Sequence, residues 1–132
     1  MSIKMGLIGA GRMGKVFAHT LAFNVAEVDL IALADTGLQN SAEVADRFAI
    51  PCRYTDYHEL LKNEEIDAVV VATPTSTHAQ VIQDAAQAGK HIFSEKPLAL
   101  TLEACDEAIA AVRQAGVKLQ LGFMRRFDAA YA

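Results

Sequence analysis

The sequence predicts an α/β fold: a doubly wound sheet of parallel strands, with helices on both faces, in a single domain. Three observations carry that expectation. Short apolar or β-branched runs alternate with stretches of helical period along the 132 residues. The first apolar run breaks into a glycine-rich stretch, "GAGRMG", at residues 9–14. The next run ends on an acid, Asp35, about twenty residues past those glycines.

Each element can be justified in turn. Residues 3–8 form a short apolar run that stops at glycine, as a buried parallel strand does. Residues 13–23 place Val16, Phe17 and Leu21 at helical spacing. "VDLIALA" at 28–34 is a second buried strand. "SAEVADRF" at 41–48 reads as a helix with Ser41 as its N-cap. A weak strand near Arg53 and Tyr54 precedes a short helix through "DYHELLKN", capped by Asp56. "AVVVA" at 68–72 is strongly β-branched and is expected at the centre of the sheet. A helix over 77–88 stops at Gly89, a strand follows at 91–94, and a long helix over 101–115 ends at Gly116. "VKLQL" at 117–121 alternates as a last strand. Right-handed crossovers then favour the strand order 3-2-1-4-5-6, the Rossmann fold.

Composition narrows the function. A chain this long should bury roughly two-thirds of the surface it exposes when unfolded, enough for one core. The formal charge of -4 provides no basic face, so no nucleic-acid partner is expected. It leaves room for a phosphate ligand, because helix N-termini bind anions without net positive charge. Cys52 and Cys105 are far apart and outside any metal or redox spacing, which reads as two free thiols in a reducing compartment. No apolar run approaches the ~20 residues of a membrane span, and the first residues do not resemble a signal peptide. The expectation is a cytoplasmic protein with no membrane partner and no metal site.

The glycine pattern G-x-G-x-x-G is weak alone and specific in context, since it follows a strand, opens a helix and precedes an acid at the next strand end. Gly9 makes the tight turn, Gly11 lets a pyrophosphate approach the backbone, and Gly14 lets the helix pack on the strand. The helix N-terminus that carries Met13 then faces the phosphates. Asp35 suits two adenosine ribose hydroxyls and repels a 2′-phosphate. Thr36 and Gly37 beside it supply no cation, which favours NAD over NADP. Asp35 also fits the role of a turn cap. Arg12 either reaches the pyrophosphate or adenine or is a solvated surface charge.

The second half adds "VVVATPTSTHAQV", which leaves a strand and enters a helix beyond the switch point of the sheet. Thr73, Pro74 and Thr75 lie where that helix N-terminus can hold polar atoms of a cofactor. His78 reads equally as a contact on the nicotinamide side and as a structural hydrogen-bonding residue. "SEKPL" follows the next strand and puts Glu95 and Lys96 at the carboxyl edge of the sheet.

With these residues on the page, the chain resembles the nucleotide-binding half of the Gfo/Idh/MocA oxidoreductases, and within them the inositol 2-dehydrogenases. The match is carried by "GLIGAGRMG", Asp35, "ATPTSTHA" at 72–79, "EKP" at 95–97 and "GFMRRFD" at 122–128, in order and spanning nearly the whole chain. The resemblance implies reversible oxidation of a polyol or sugar hydroxyl, myo-inositol above all, to a ketone with hydride transfer to NAD. It implies that Lys96 is catalytic, orienting the reacting hydroxyl and relaying its proton. It places Glu95 near the nicotinamide and Pro97 after a cis peptide bond.

The family continues into a second domain that supplies most substrate contacts, an Asp and a His of the proton relay, and usually the oligomer interface. The expected organisation is therefore an NAD-binding domain over residues 1–121, with 122–132 opening the connection to a C-terminal substrate domain outside this chain. Arg125 and Arg126 either touch cofactor or substrate there or belong to a solvated linker. His19, His58, His78 and His91 do not fit the missing relay role. The 132 residues alone are expected to be inactive, and the full-length protein is expected to be a homo-oligomer. The competing reading is a non-catalytic dinucleotide-sensing or interaction module. An intact Lys96 favours the enzyme.

Overall fold

A computed structural model describes residues 2–23, 25–95 and 98–122. Among the described residues, six strands alternate with five helices. They are β1 (Ile3–Ile8), α1 (Arg12–Phe23), β2 (Val28–Ala34), α2 (Leu38–Arg47), β3 (Cys52–Tyr54), α3 (Tyr57–Leu61), β4 (Ala68–Val71), α4 (Thr75–Gln87), β5 (His91–Glu95), α5 (Leu102–Ala115) and β6 (Leu119–Gly122). Every strand pairing is parallel, in the order β3-β2-β1-β4-β5-β6. This is the expected Rossmann order, and its direction reverses between β1 and β4.

The two faces of the sheet are covered by different helices, and strand period 2 sorts the core between them. In β4, Val70 joins one apolar cluster with Met5, Leu7, Phe17 and Leu21, while Val69 and Val71 join the other with Ile82, Ala85 and Ala108. The first cluster lies under α1 and α2, the second under α3, α4 and α5. Leu7, Leu33 and Val69 are completely buried, so the central strands are sealed on both sides, as parallel sheets require.

Helix ends follow local chemistry, with one correction. Asp56 caps α3 by accepting from the His58 N–H, and Thr101 caps α5 by accepting from Ala104 N–H. Gly116 closes α5 in the left-handed region at φ 71°. Ser41, expected as the N-cap of α2, instead lies inside that helix and is 5% exposed. The helix begins at Leu38, after Gly37, because Asp35 captures the Gly37 N–H and turns the chain earlier. The other boundaries move by a residue or two: α1 starts at Arg12, α4 at Thr75, and β6 runs from Leu119 to Gly122.

Among the described residues, no helix is long and apolar enough to cross a membrane, and no group of three or more His, Cys, Asp or Glu side chains is placed to hold a metal ion.

Candidate dinucleotide site

The reversal of strand order opens a cleft of about 800 Å³ at the carboxyl ends of the strands. Parallel strands all point their carboxyl ends to one edge. Residues that end or follow β1, β2, β3 and β4, and Glu95 at the end of β5, therefore meet there despite their distance in sequence.

The glycine loop forms one wall. Gly9 has φ +108°, and a Cβ there would come within 2.6 Å of the Ala72 carbonyl oxygen. Only glycine allows β1 to turn so close to the end of β4. Gly14 packs inward: a Cβ on it would lie 2.1 Å from the Gly9 carbonyl oxygen. It does not line the cleft; it lets α1 close onto the loop. Gly11 is the opposite case, since a Cβ there would meet nothing within 4 Å, and it faces the cleft with Arg12 and Met13. The loop thus leaves open space next to bare backbone at a helix N-terminus, where an anion is favoured.

Asp35 and Thr36 line the same cleft at the end of β2. The Asp35 carboxylate is held by two backbone donors: Oδ1 accepts from Ala10 N–H at 2.9 Å and Oδ2 from Gly37 N–H at 2.8 Å. The turn-cap role is therefore present. It does not exhaust the carboxylate, because each oxygen accepts more than one hydrogen bond.

Thr73, Pro74 and Thr75 form the opposite lip, where β4 enters α4. Thr77 Oγ1 donates within this turn, in geometry shared between Thr73 Oγ1 and the Pro74 carbonyl. His78 is 2% exposed, and its Nε2 lies 2.8 Å from the Thr73 carbonyl oxygen. A carbonyl only accepts, so Nε2 carries the proton and holds the turn in shape. The structural role of His78 is thus realised while its ring still borders the cleft.

Glu95 ends β5 at the far side of the cleft. Its Oε1 is buried without a hydrogen-bond partner among the described residues. Burial raises its pKa above the usual glutamate value, and nearby His78 works in the opposite direction. An unsatisfied buried acceptor is costly and calls for a partner.

The match to the oxidoreductase family with an NAD-binding Rossmann fold, Gfo/Idh/MocA, runs over residues 3–123. The chain belongs to this family. Among other members, it is 43% identical over 126 residues to the uncharacterized oxidoreductase YrbE of Bacillus subtilis, covering 96% of this chain and 37% of that protein. It is 42% identical over 130 residues to the scyllo-inositol 2-dehydrogenase (NAD(+)) of the same organism, covering 98% and 38%. The scyllo-inositol dehydrogenase of Lactobacillus casei, solved with bound NAD(H) and scyllo-inositol, superposes with a TM-score of 0.91 at 35% identity, over 99% of this chain and 39% of that one. The chain thus spans under two-fifths of the length of these Gfo/Idh/MocA relatives.

Of the residues expected at the site, Gly9, Gly11, Arg12, Met13, Asp35, Thr36, Thr73, Pro74, Thr75, His78 and Glu95 come together around the cleft. Lys96, Pro97 and Arg125 lie outside the described residues. Sequence reasoning missed Thr55 and Tyr57, which line the cleft after β3. The rule that every parallel strand presents its carboxyl end to the crevice was the signal that points to them.

Proposed function

We propose that this chain is the NAD-binding domain of a dehydrogenase that oxidises a polyol or sugar hydroxyl, inositol foremost, to a ketone. One observation supports this above the rest. The glycine loop, the Asp35 carboxylate and the buried acceptor of Glu95 border one cleft at the switch point of the sheet. The residues present fit a dinucleotide. The open backbone at Gly11 and the N-terminus of α1 would receive its pyrophosphate. Asp35 would accept from the adenosine ribose hydroxyls, and its charge would disfavour a 2′-phosphate. Thr73 to Thr75 and Glu95 would hold the nicotinamide half, with the carboxamide as the donor Glu95 lacks. Arg12 would cover the phosphates, and Arg125 would approach the cofactor or substrate from the connection.

Bound NAD supplies the hydride acceptor. Lys96, next to Glu95 at the strand end, orients the reacting hydroxyl and carries part of its proton traffic. Residues 1–121 form the cofactor domain and 122–132 open the connection to a substrate domain, whose groups select the polyol. The full-length protein acts in the cytoplasm as a homo-oligomer, without a nucleic-acid or membrane partner.

Turnover of myo-inositol and scyllo-inositol with NAD by the full-length protein tests this reading, alongside Lys96→Met. General acid–base groups contribute about 10²–10⁴-fold, so kcat should fall by about that factor while NAD affinity stays nearly constant. Lys96→Arg should not rescue the rate, because a guanidinium is planar and effectively never deprotonated. Full activity in Lys96→Met removes the lysine from the chemistry. NAD binding by the full-length protein without turnover of any polyol supports the sensing module instead.

A further inference from the structure

A polar network outside the glycine loop joins α3 to α4 and ends on the wall of the cleft. Its hub is Asp84 on α4, whose side chain is 18% exposed. Asp84 Oδ2 accepts from the Tyr57 hydroxyl at 2.5 Å and lies 3.2 Å from His58 Nε2, while Oδ1 accepts from Gln80 Nε2 at 3.0 Å. The other ring nitrogen of His58, Nδ1, lies 2.7 Å from Asp56 Oδ1. Both nitrogens of one imidazole therefore face carboxylate oxygens. A neutral ring can donate from only one nitrogen, so the imidazolium satisfies this geometry and the neutral ring does not. The Tyr57 ring stacks on the His58 ring at 4.1 Å between centroids. Its phenol is thus tied at the tip and braced along one face.

Tyr57 also lines the cleft. Its position in the chain says which end it serves. It follows β3, which pairs with β2, and the Tyr54 carbonyl accepts from the Asp35 N–H at 3.0 Å. The backbone of Tyr57 thus follows the strand beside Asp35, on the side that the dinucleotide reading gives to adenosine.

We propose that Tyr57 is the wall against which the adenosine half of the dinucleotide lies, and that Asp84 and the His58 imidazolium are its positioning residues. The inference rests on the dinucleotide reading of the cleft and adds to it a binding residue beyond the glycine loop and its acid. It carries a pH dependence. The titratable and charged groups about His58 are Asp56 and Tyr57 beside it, Glu59 and Lys62 paired with each other further along, and Asp84 from α4. The hydrogen bond and charge of Asp56, then of Asp84, hold the histidine above its ordinary pKa. The brace is complete below the ordinary value of 6.5 and loosens as pH rises through the raised folded value.

The test is calorimetric titration of the 132-residue chain with NAD and with ADP-ribose, which lacks the nicotinamide, at pH 6 and at pH 8.5. The unaltered chain should bind both ligands about two- to fourfold more tightly at the lower pH. Tyr57→Ala should weaken both by about tenfold. Tyr57→Phe preserves the packing volume and removes only the tie to Asp84; it should cost about threefold and flatten the pH profile. Asp84→Asn leaves an acceptor for the phenol but removes one of the charges facing His58, so it too should flatten the profile. A merely structural role for Asp84 would change stability without touching that profile. Unaltered affinity for ADP-ribose in folded Tyr57→Ala and Tyr57→Phe overturns the inference and leaves the dinucleotide reading standing. Absence of binding by the unaltered chain overturns both.

Discussion

The Ala10 N–H donates to Oδ1 of Asp35 at 2.9 Å. This single bond joins the glycine loop to the acid that would hold the ribose, and it makes the two halves of the fingerprint one unit. In the proposed reading Asp35 would be both the partner of the ribose and the clip that sets where the loop amides point.

Asp35→Ala should therefore fail in two ways. NAD affinity should fall by about 1–3 kcal/mol, as expected for lost hydrogen bonds to a charged acceptor. The ligand-free chain should also melt at a lower temperature, because Ala10 and Gly37 lose their acceptor. Asp35→Asn keeps Oδ1 for Ala10 and should recover part of the stability while remaining poor in NAD binding. Calorimetric titration and thermal melts on the same preparations separate the effects. An unchanged affinity in Asp35→Ala would leave Asp35 as a turn cap only.

Two glycines three residues apart should respond in opposite ways. Gly→Ala inside a helix normally stabilises by about 1 kcal/mol. At Gly14 the new methyl would lie 2.1 Å from the Gly9 carbonyl oxygen, so the loop must move; a loss of about 1–3 kcal/mol is expected, as for overpacked sites. At Gly11 the methyl meets nothing within 4 Å. Gly11→Ala should fold with an unchanged melting temperature and bind NAD at least tenfold more weakly, since its methyl takes space the pyrophosphate needs. Wild-type NAD affinity in Gly11→Ala would show that the phosphates do not pass over that backbone.

Glu95 should trade stability for binding. Its folded-state pKa is raised by burial, so the folded chain holds that proton more tightly than the unfolded chain. Its effect on stability is neutral below the ordinary value of 4.5, becomes unfavourable as pH rises from there through the raised value, and stays so at neutral pH. Glu95→Gln should raise the melting temperature of the ligand-free chain by about 2–5 °C at pH 7, with the gap closing near pH 4. The same variant should bind NAD more weakly. A melting temperature that is unchanged at pH 7 would mean that the buried oxygen already has its partner.

Most of the fold was legible because its signals are local and repeated. The β-branched run of β4, the apolar runs of β1 and β2 and the cap at Asp56 each state their own structure. Alternation of strands and helices then leaves few topologies. The start of α2 was misread because a serine is a good cap wherever it stands. Nothing in the local pattern says that Asp35, six residues earlier, already turns the chain by taking the Gly37 N–H. The site was legible where a motif is contiguous, as in the glycine loop and "ATPTSTHA". Tyr57 was not, because β3 is only three residues long and gives a weak local signal, and it is the pairing of β3 with β2 that carries Tyr57 to the carboxyl edge of the sheet.

Titration of the 132-residue chain with NAD and NADP, side by side by calorimetry, tests the central claim most directly. The open backbone at Gly11 and the anchored carboxylate of Asp35 predict one NAD per chain. They also predict affinity for NADP at least tenfold weaker, about 1.4 kcal/mol or more, from the repulsion between Asp35 and the 2′-phosphate. Binding of neither nucleotide, or NADP binding as tightly as NAD, would contradict the account.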